Sequence, residues 1–218
     1  KSCFNAPTSE IYTTQSIPEY TSATVILVYV FTLKTPSGKP TEWKSAASFK
    51  VDNGVATIHN PTIPLDKRYT LTFQTSHLNE TQKQQVYIAN INNTKYPRYT
   101  TTKKKLNKVY TTTKLLGKYA LRFDTKKPTI QLYNFKDKQW LSKYRYLKLK
   151  ITDDVSGIKN YRATINGKWI LMEYDYKKDS LVYDFNDNIV SETKNNLKII
   201  VTDNVGNSST FEATFFRK

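Results

Sequence analysis

The sequence predicts an all-β chain of two immunoglobulin-like antiparallel β-sandwich domains in tandem, and three observations carry that prediction. Apolar and polar residues alternate with period two in short runs, the signature of half-buried strands. Val, Ile, Thr and aromatic residues, which fit a pleated surface, are frequent, with 16 Tyr among 218 residues. Turn-forming Gly, Pro, Asn and Asp divide the runs at short intervals. No segment shows a convincing helical period; "LNETQKQQ" (78–85) can supply a turn or two.

The length suits two ordinary domains, each able to bury a core. The boundary is expected in "FDTKKP", giving a first domain over 1–123 and a second over 124–218. In the first, strand-like runs cover 23–33, 45–51, 54–59, 68–74, 85–91, 107–113 and 118–123. They are separated by "TPSGKP", "DNG", "NPTIPLDK" and "NTKYPRY". The second domain is more regular, with seven strands predicted at 128–133, 145–152, 158–165, 168–173, 181–185, 196–202 and 209–216. Leu147, Leu149 and Ile151 share one face with lysines between them, and Leu197, Ile199, Val201 and Phe211, Ala213, Phe215 repeat the scheme. One face is core and the other wet. Asn166-Gly167 is the dipeptide favoured for a type I′ hairpin, because both positions need positive φ.

The formal net charge is +16. Residues 1–123 hold 17 basic and 6 acidic groups, residues 124–218 hold 17 and 12, and the excess peaks in "TTKKKLNKVYTTTKLLGK". Lys103, Lys104 and Lys105 there are candidate contacts for an acidic partner or glycan. The plainer reading, a lysine-rich strand edge that resists aggregation, carries more weight. Nothing resembles a nucleic-acid module with aromatics at set spacing, so no nucleic-acid partner is expected. The longest apolar run, Ala23 to Leu33, is well short of the roughly 20 residues a spanning helix needs. No transmembrane segment is expected. Lone Cys3 allows no internal disulfide and lacks a lipobox before it, and the opening on Lys1 reads as a mature or excised part of something longer.

Several stretches of the second half, "FDTKKPTIQLYNF", "ITDDVSGIKNYRATINGKWILMEYDYK", "LKIIVTDNVGN" and "FEATFFRK", together resemble the C-terminal region of lysostaphin/LytM-type zinc metallopeptidases of Bacteroidota-type bacteria. "TTTKLLGKYALRF" extends the resemblance upstream, and "IPLDKRYTLTF" is similar to the β-rich segment before it. The resemblance implies a cell-envelope location, whether periplasmic, outer-membrane-associated or extracellular. It also implies that the chain docks to its own catalytic domain or to an envelope protein, with peptidoglycan as a further partner. In that family the zinc ligands lie in HxxxD and HxH motifs of a separate domain. This chain has only His59 in "TIHNP" and His77 in "TSHLN", so no catalytic residue, cofactor or zinc site carries over and the chain is not expected to be an enzyme.

"ITDDV" (151–155) and "VTDNV" (201–205) write the same motif twice. Asp153, Asp154, Asp203 and Asn204 are calcium candidates, with Asp124 a further contributor, since clustered carboxylate and amide oxygens suit that ion. An Asp153/Asp203 acid–base pair would need a cleft that pushes their pKa values apart. Asx residues that cap their own turns are the favoured reading, because Gly157 and Gly206 mark turns at both places. Trp43 and Trp140 lie in polar stretches and are candidate ligand contacts. Tyr144, Tyr146, Tyr174 and Tyr176 could join them in a sugar-stacking platform, while Trp169 is expected in the core. Ser180, in Asp179-Ser180-Leu181, fits a short O-glycosylation pattern of the same bacteria.

Overall fold

The computed structural model describes residues 10–13, 25–28, 49–62, 65, 68–187 and 192–218. The chain divides into two compact units, Lys1–Phe123 and Asp124–Lys218. Trp43 lies outside the described residues.

In the first unit β1 (Glu10–Thr13) pairs antiparallel with β2 (Val25–Val28). A five-stranded sheet has the order β3 (Phe49–Asp52), β4 (Val55–Ile58), β10 (Gly117–Phe123), β6 (Val86–Asn90), β7 (Arg98–Tyr99). A three-stranded sheet has the order β5 (Tyr69–Gln74), β9 (Lys108–Thr113), β8 (Lys103–Lys105). Leu71 and Phe73 of the smaller sheet meet Ile58, Ile88 and Tyr119 of the larger in one buried cluster. Tyr69 and Tyr119 both donate their hydroxyls to the Leu115 carbonyl, at 2.5 and 2.6 Å. Burial, and then the Tyr119 hydroxyl beside it, hold the Tyr69 phenol far above its ordinary pKa.

Two turns show why the sequence folds as it does. Asn53 and Gly54 both take positive φ, 46° and 74°, and close the hairpin from Asp52 to Val55. Gly117 opens β10 at φ 118°, and a Cβ there would lie 2.1 Å from Asn92 Oδ1. Asn92 occupies that space because its carboxamide accepts from Lys118 N at 2.6 Å and donates to Leu116 O at 3.2 Å. The expected helical turn is α1 (Glu80–Gln85), and Asn79 and Gln82 form its capping box.

The second unit is a two-sheet sandwich. One sheet has the order β11 (Thr129–Leu132), β13 (Tyr146–Thr152), β17 (Ser180–Asp184), β16 (Glu173–Asp175). The other has the order β12 (Gln139–Trp140), β19 (Ser208–Phe216), β18 (Lys194–Asp203), β14 (Ile158–Ile165), β15 (Lys168–Ile170). Leu147, Leu149 and Ile151 from the first meet Leu197, Ile199, Val201 and Phe215 from the second in one core, so the alternation expected on these strands is realised. The fold class is therefore all-β with immunoglobulin-like sandwiches. A single parallel pair among the described strands, β12 with β19, interrupts the antiparallel rule.

The run expected as one strand at 168–173 is two. β15 stays beside β14, Leu171 is exposed, and β16 pairs with β17 in the opposite sheet. The chain changes sheets there, which a periodicity spanning both halves conceals. The same register corrects Trp169. Asn166 and Gly167 take φ 48° and 78°, as a type I′ turn requires, and this pairs Ala163 with Ile170 and Thr164 with Trp169. Ala163 and Ile170 are buried, so Trp169 points outward and is 57% exposed.

Candidate functional site

At one end of the second sandwich the two Thr-Asp-Asx-Val motifs lie side by side as the turns after β13 and β18. Asp153 Oδ1 accepts the backbone amides of Val155, Ser156 and Gly157 at 3.2, 2.9 and 2.7 Å. Asp203 Oδ1 accepts those of Val205, Gly206 and Asn207 at 2.9, 2.6 and 2.8 Å. Each carboxylate sits in a nest of successive N–H groups, whose dipoles stabilise its negative charge. Asn204 Nδ2 ties the two turns together by donating to the Ser156 and Gly157 carbonyls at 2.8 and 3.1 Å.

Asp124 and Asn207 complete the construction. Asp124 Oδ2 accepts from Ser156 N at 3.0 Å, and its Oδ1 from Lys126 N at 3.0 Å. Asn207 Nδ2 donates to Asp203 Oδ2 at 2.7 Å and to the Asp124 and Lys126 carbonyls at 3.1 and 3.0 Å. The entering segment is thus fastened to the turn after β18. Sequence reasoning missed Asn207 and Ser156, although the Asn directly after Gly206 is a turn signal of the kind used elsewhere.

Asp124, Asp153 and Asp203 offer oxygens that all lie within 4.8 Å of one another, and Asp124 and Asp203 are 1% and 0% exposed. Among the described residues no Lys or Arg forms an ion pair with any of the three. Burial pushes the Asp153 carboxyl up. The Gly157 and Val155 amides pull it down, the Asp124 and Asp203 charges add to the rise, and the net direction is upward. Of the six oxygens, Asp153 Oδ2 alone accepts no hydrogen bond among the described residues. Asp154 is exposed and stands apart from the trio, and Asn204 turns its nitrogen, not its oxygen, toward the neighbouring loop. What the cluster does in this structure is cap turns and fasten loops.

The remaining candidates separate. Lys103, Lys104 and Lys105 form β8, the exposed edge of the three-stranded sheet, paired with Tyr110, Val109 and Lys108. Lys104 also reaches the Gln84 carbonyl. This is the placement of an edge that lysines keep from pairing with another chain. Ser180 begins β17 and is 5% exposed, so in the folded chain its hydroxyl is not offered to a transferase. Trp140 is 52% exposed and packs on Phe216 with ring centroids 5.3 Å apart. The tyrosines do not join it in one platform: Tyr146 and Tyr174 belong to the opposite sheet, and Tyr144 holds Gln139 through its hydroxyl at 3.0 Å.

Residues 44–124 match the Zu5-like domain family. That segment is well under half of the chain and ends at the boundary between the two units. No curated protein aligns significantly with the chain. Among solved structures, fibronectin(III)-like modules of Clostridium thermocellum CbhA align at a TM-score of 0.32 and 12% identity, covering 70% of this chain and 86% of theirs. The endo-β-1,4-mannanase of Thermotoga petrophila aligns at 0.36 and 8%, covering 44% of this chain, which spans only 20% of the mannanase chain.

Proposed function

We propose that the chain is the non-catalytic β-sandwich portion of a cell-envelope protein related to peptidoglycan metallopeptidases, where it positions the hydrolase or docks it to an envelope partner. One observation carries the reading. From Asp124 onward the stretches that bear the family resemblance fall in one sandwich, and the clustered carboxylates there, Asp124, Asp153 and Asp203, cap and fasten the sandwich's own loops. His59 lies in the turn after β4 and His77 in the loop before α1. Among the described residues the one His/Cys/Asp/Glu group spaced to hold a metal contains no histidine. A zinc hydrolase needs three ligands and an open position.

The test is to read the gene upstream of Lys1. An HxxxD…HxH pair encoded in frame supports the reading, and an unrelated domain or a stop codon there overturns it.

A further inference from the structure

The outward face of the five-stranded sheet in the second unit carries a hollow that no turn or core requires. Burial of Leu197, Ile199 and Ala213 turns Asn196, Lys198, Glu212 and Thr214 outward, and burial of Ala163 turns out Thr164. Together with Asp137 these side chains line a depression of about 550 Å³. Its two walls are fixed to its floor. Asp137 Oδ1 accepts from Thr214 N at 2.7 Å on one side, and on the other Asn166 Oδ1 accepts from Asn196 N at 2.8 Å.

Hydrogen-bonding capacity is left over along this lining. Asp137 Oδ2, Asn196 Nδ2 and the Thr164 hydroxyl make no bond among the described residues. Lys198 and Glu212 pair with each other at 2.9 Å, so the Asp137 carboxylate is the uncompensated charge of the lining. On a chain of net charge +16 this lining carries one carboxylate more than it has cations. It would repel a polyanion at short range.

Tryptophans flank the hollow on the same face. Trp169 on edge strand β15 pairs with Thr164 of the lining, and Trp140 on the opposite edge strand β12 is backed by Phe216. Four strand spacings separate those edges, about 19 Å. The register sets the Trp140–Phe216–Lys194 row four residues from the Trp169–Thr164–Lys198 row, about 14 Å along the strands. The hollow, at the Asn196 and Lys198 positions, therefore lies on the diagonal between two exposed indoles.

We infer that this face binds a neutral oligosaccharide along that diagonal. A pyranose ring has an apolar C–H face that suits an indole and a rim of hydroxyls that both donate and accept. Asp137, Asn196 and Thr164 supply the complementary acceptors and donors, and Trp140 and Trp169 supply the flat faces. A peptide would more readily add to a free strand edge through its main chain than lie across a sheet face. The inference stands whether or not a hydrolase domain adjoins the chain.

Titration of the full chain with neutral hexasaccharides of glucose, mannose, xylose and N-acetylglucosamine, and with hexamers of galacturonate and heparin, followed by calorimetry and indole fluorescence, tests it. At least one neutral hexamer is expected to bind and shift the fluorescence, its trimer at least tenfold more weakly. Trp140→Ala and Trp169→Ala should each weaken binding about tenfold with melting temperatures near wild type, since both side chains are exposed. Thr164→Val, which keeps the shape and removes the hydroxyl, should also weaken it. Absence of binding by every neutral hexamer at millimolar concentration, preference for the anionic hexamers, or wild-type affinity in both tryptophan variants would overturn the inference.

Discussion

The turn after β13 and the turn after β18 carry the same Thr-Asp-Asx-Val signature, yet the two aspartates are not equivalent. Asp203 is fully buried and uses both oxygens, Oδ1 on three backbone amides and Oδ2 on the Asn207 side chain. Asp153 is half-exposed, uses only Oδ1, and has its carboxyl pushed up by burial and by its acidic neighbours. A repeated motif thus specifies a repeated local turn. What differs is set by one local residue, Asn207 where the first turn has Gly157, and by the charges of Asp124 and Asp203 beside Asp153.

The sharpest way to break this comparison is to remove each carboxylate in turn. Asp203→Ala leaves three backbone amides without their buried acceptor and takes from Asn207 the carboxylate that orients it toward the entering segment. At about 1–3 kcal/mol for each stranded group, partly relieved by water, the expected loss is about 3–5 kcal/mol. Asp153→Ala should cost less, about 1–3 kcal/mol, because its carboxylate is half-exposed, uses one oxygen only, and removing its charge relieves repulsion from Asp124 and Asp203. Denaturant midpoints of the two variants check the order, and equal losses would mean that the second oxygen and the burial of Asp203 contribute nothing.

Asn204→Ala removes the side-chain link from the second turn to the Ser156 and Gly157 carbonyls and leaves the backbone bond from Asn204 N to Gly157 O at 3.1 Å. Asp154, at the equivalent position of the first turn, is exposed, so Asp154→Ala should be near neutral while Asn204→Ala costs about 1–2 kcal/mol. Thermal melts of the pair sharpen the asymmetry.

The smallest expected effect is in pH dependence. The Asp153 carboxyl has its pKa raised by folding, so its contribution to stability is full below its ordinary value of 3.8 and is lost as pH rises through the raised folded value. Asp153→Asn keeps an oxygen for the three amides and removes the titration. Relative to wild type, the variant should therefore gain stability as pH rises across that window, as read from unfolding midpoints at a series of pH values. A difference that stays constant with pH would show that Asp153 ionises as an ordinary exposed carboxylate.

Much of this was legible in the sequence, for local reasons. The β14–β15 hairpin follows from Asn166-Gly167, and the core of β13, β18 and β19 from strict alternation, because a strand buried on one face must write its burial at period two. The capping role of Asp153 and Asp203 was readable from the glycines that follow them. Trp169 was misplaced because a continuous apolar stretch hides the point at which the chain leaves one sheet for the other. The outward hollow left no trace, since Thr164, Asn196 and Thr214 look like any solvated sheet face until the register aligns them between two tryptophans. Among the described residues β1, β7, β8 and β12 were also missed, being two to four residues long and held by their partners more than by their own pattern.

The claim on which this account rests is that the paired aspartate turns are held by their own amides and do not depend on an ion. Thermal unfolding of the full chain in millimolar calcium and in excess chelator tests it most directly. A site filled at a hundredfold excess over its Kd would add about 2.7 kcal/mol, a shift of several degrees. The account predicts melting temperatures that agree within about a degree. A melting point several degrees higher in calcium, with the difference abolished by Asp124→Asn, would contradict it.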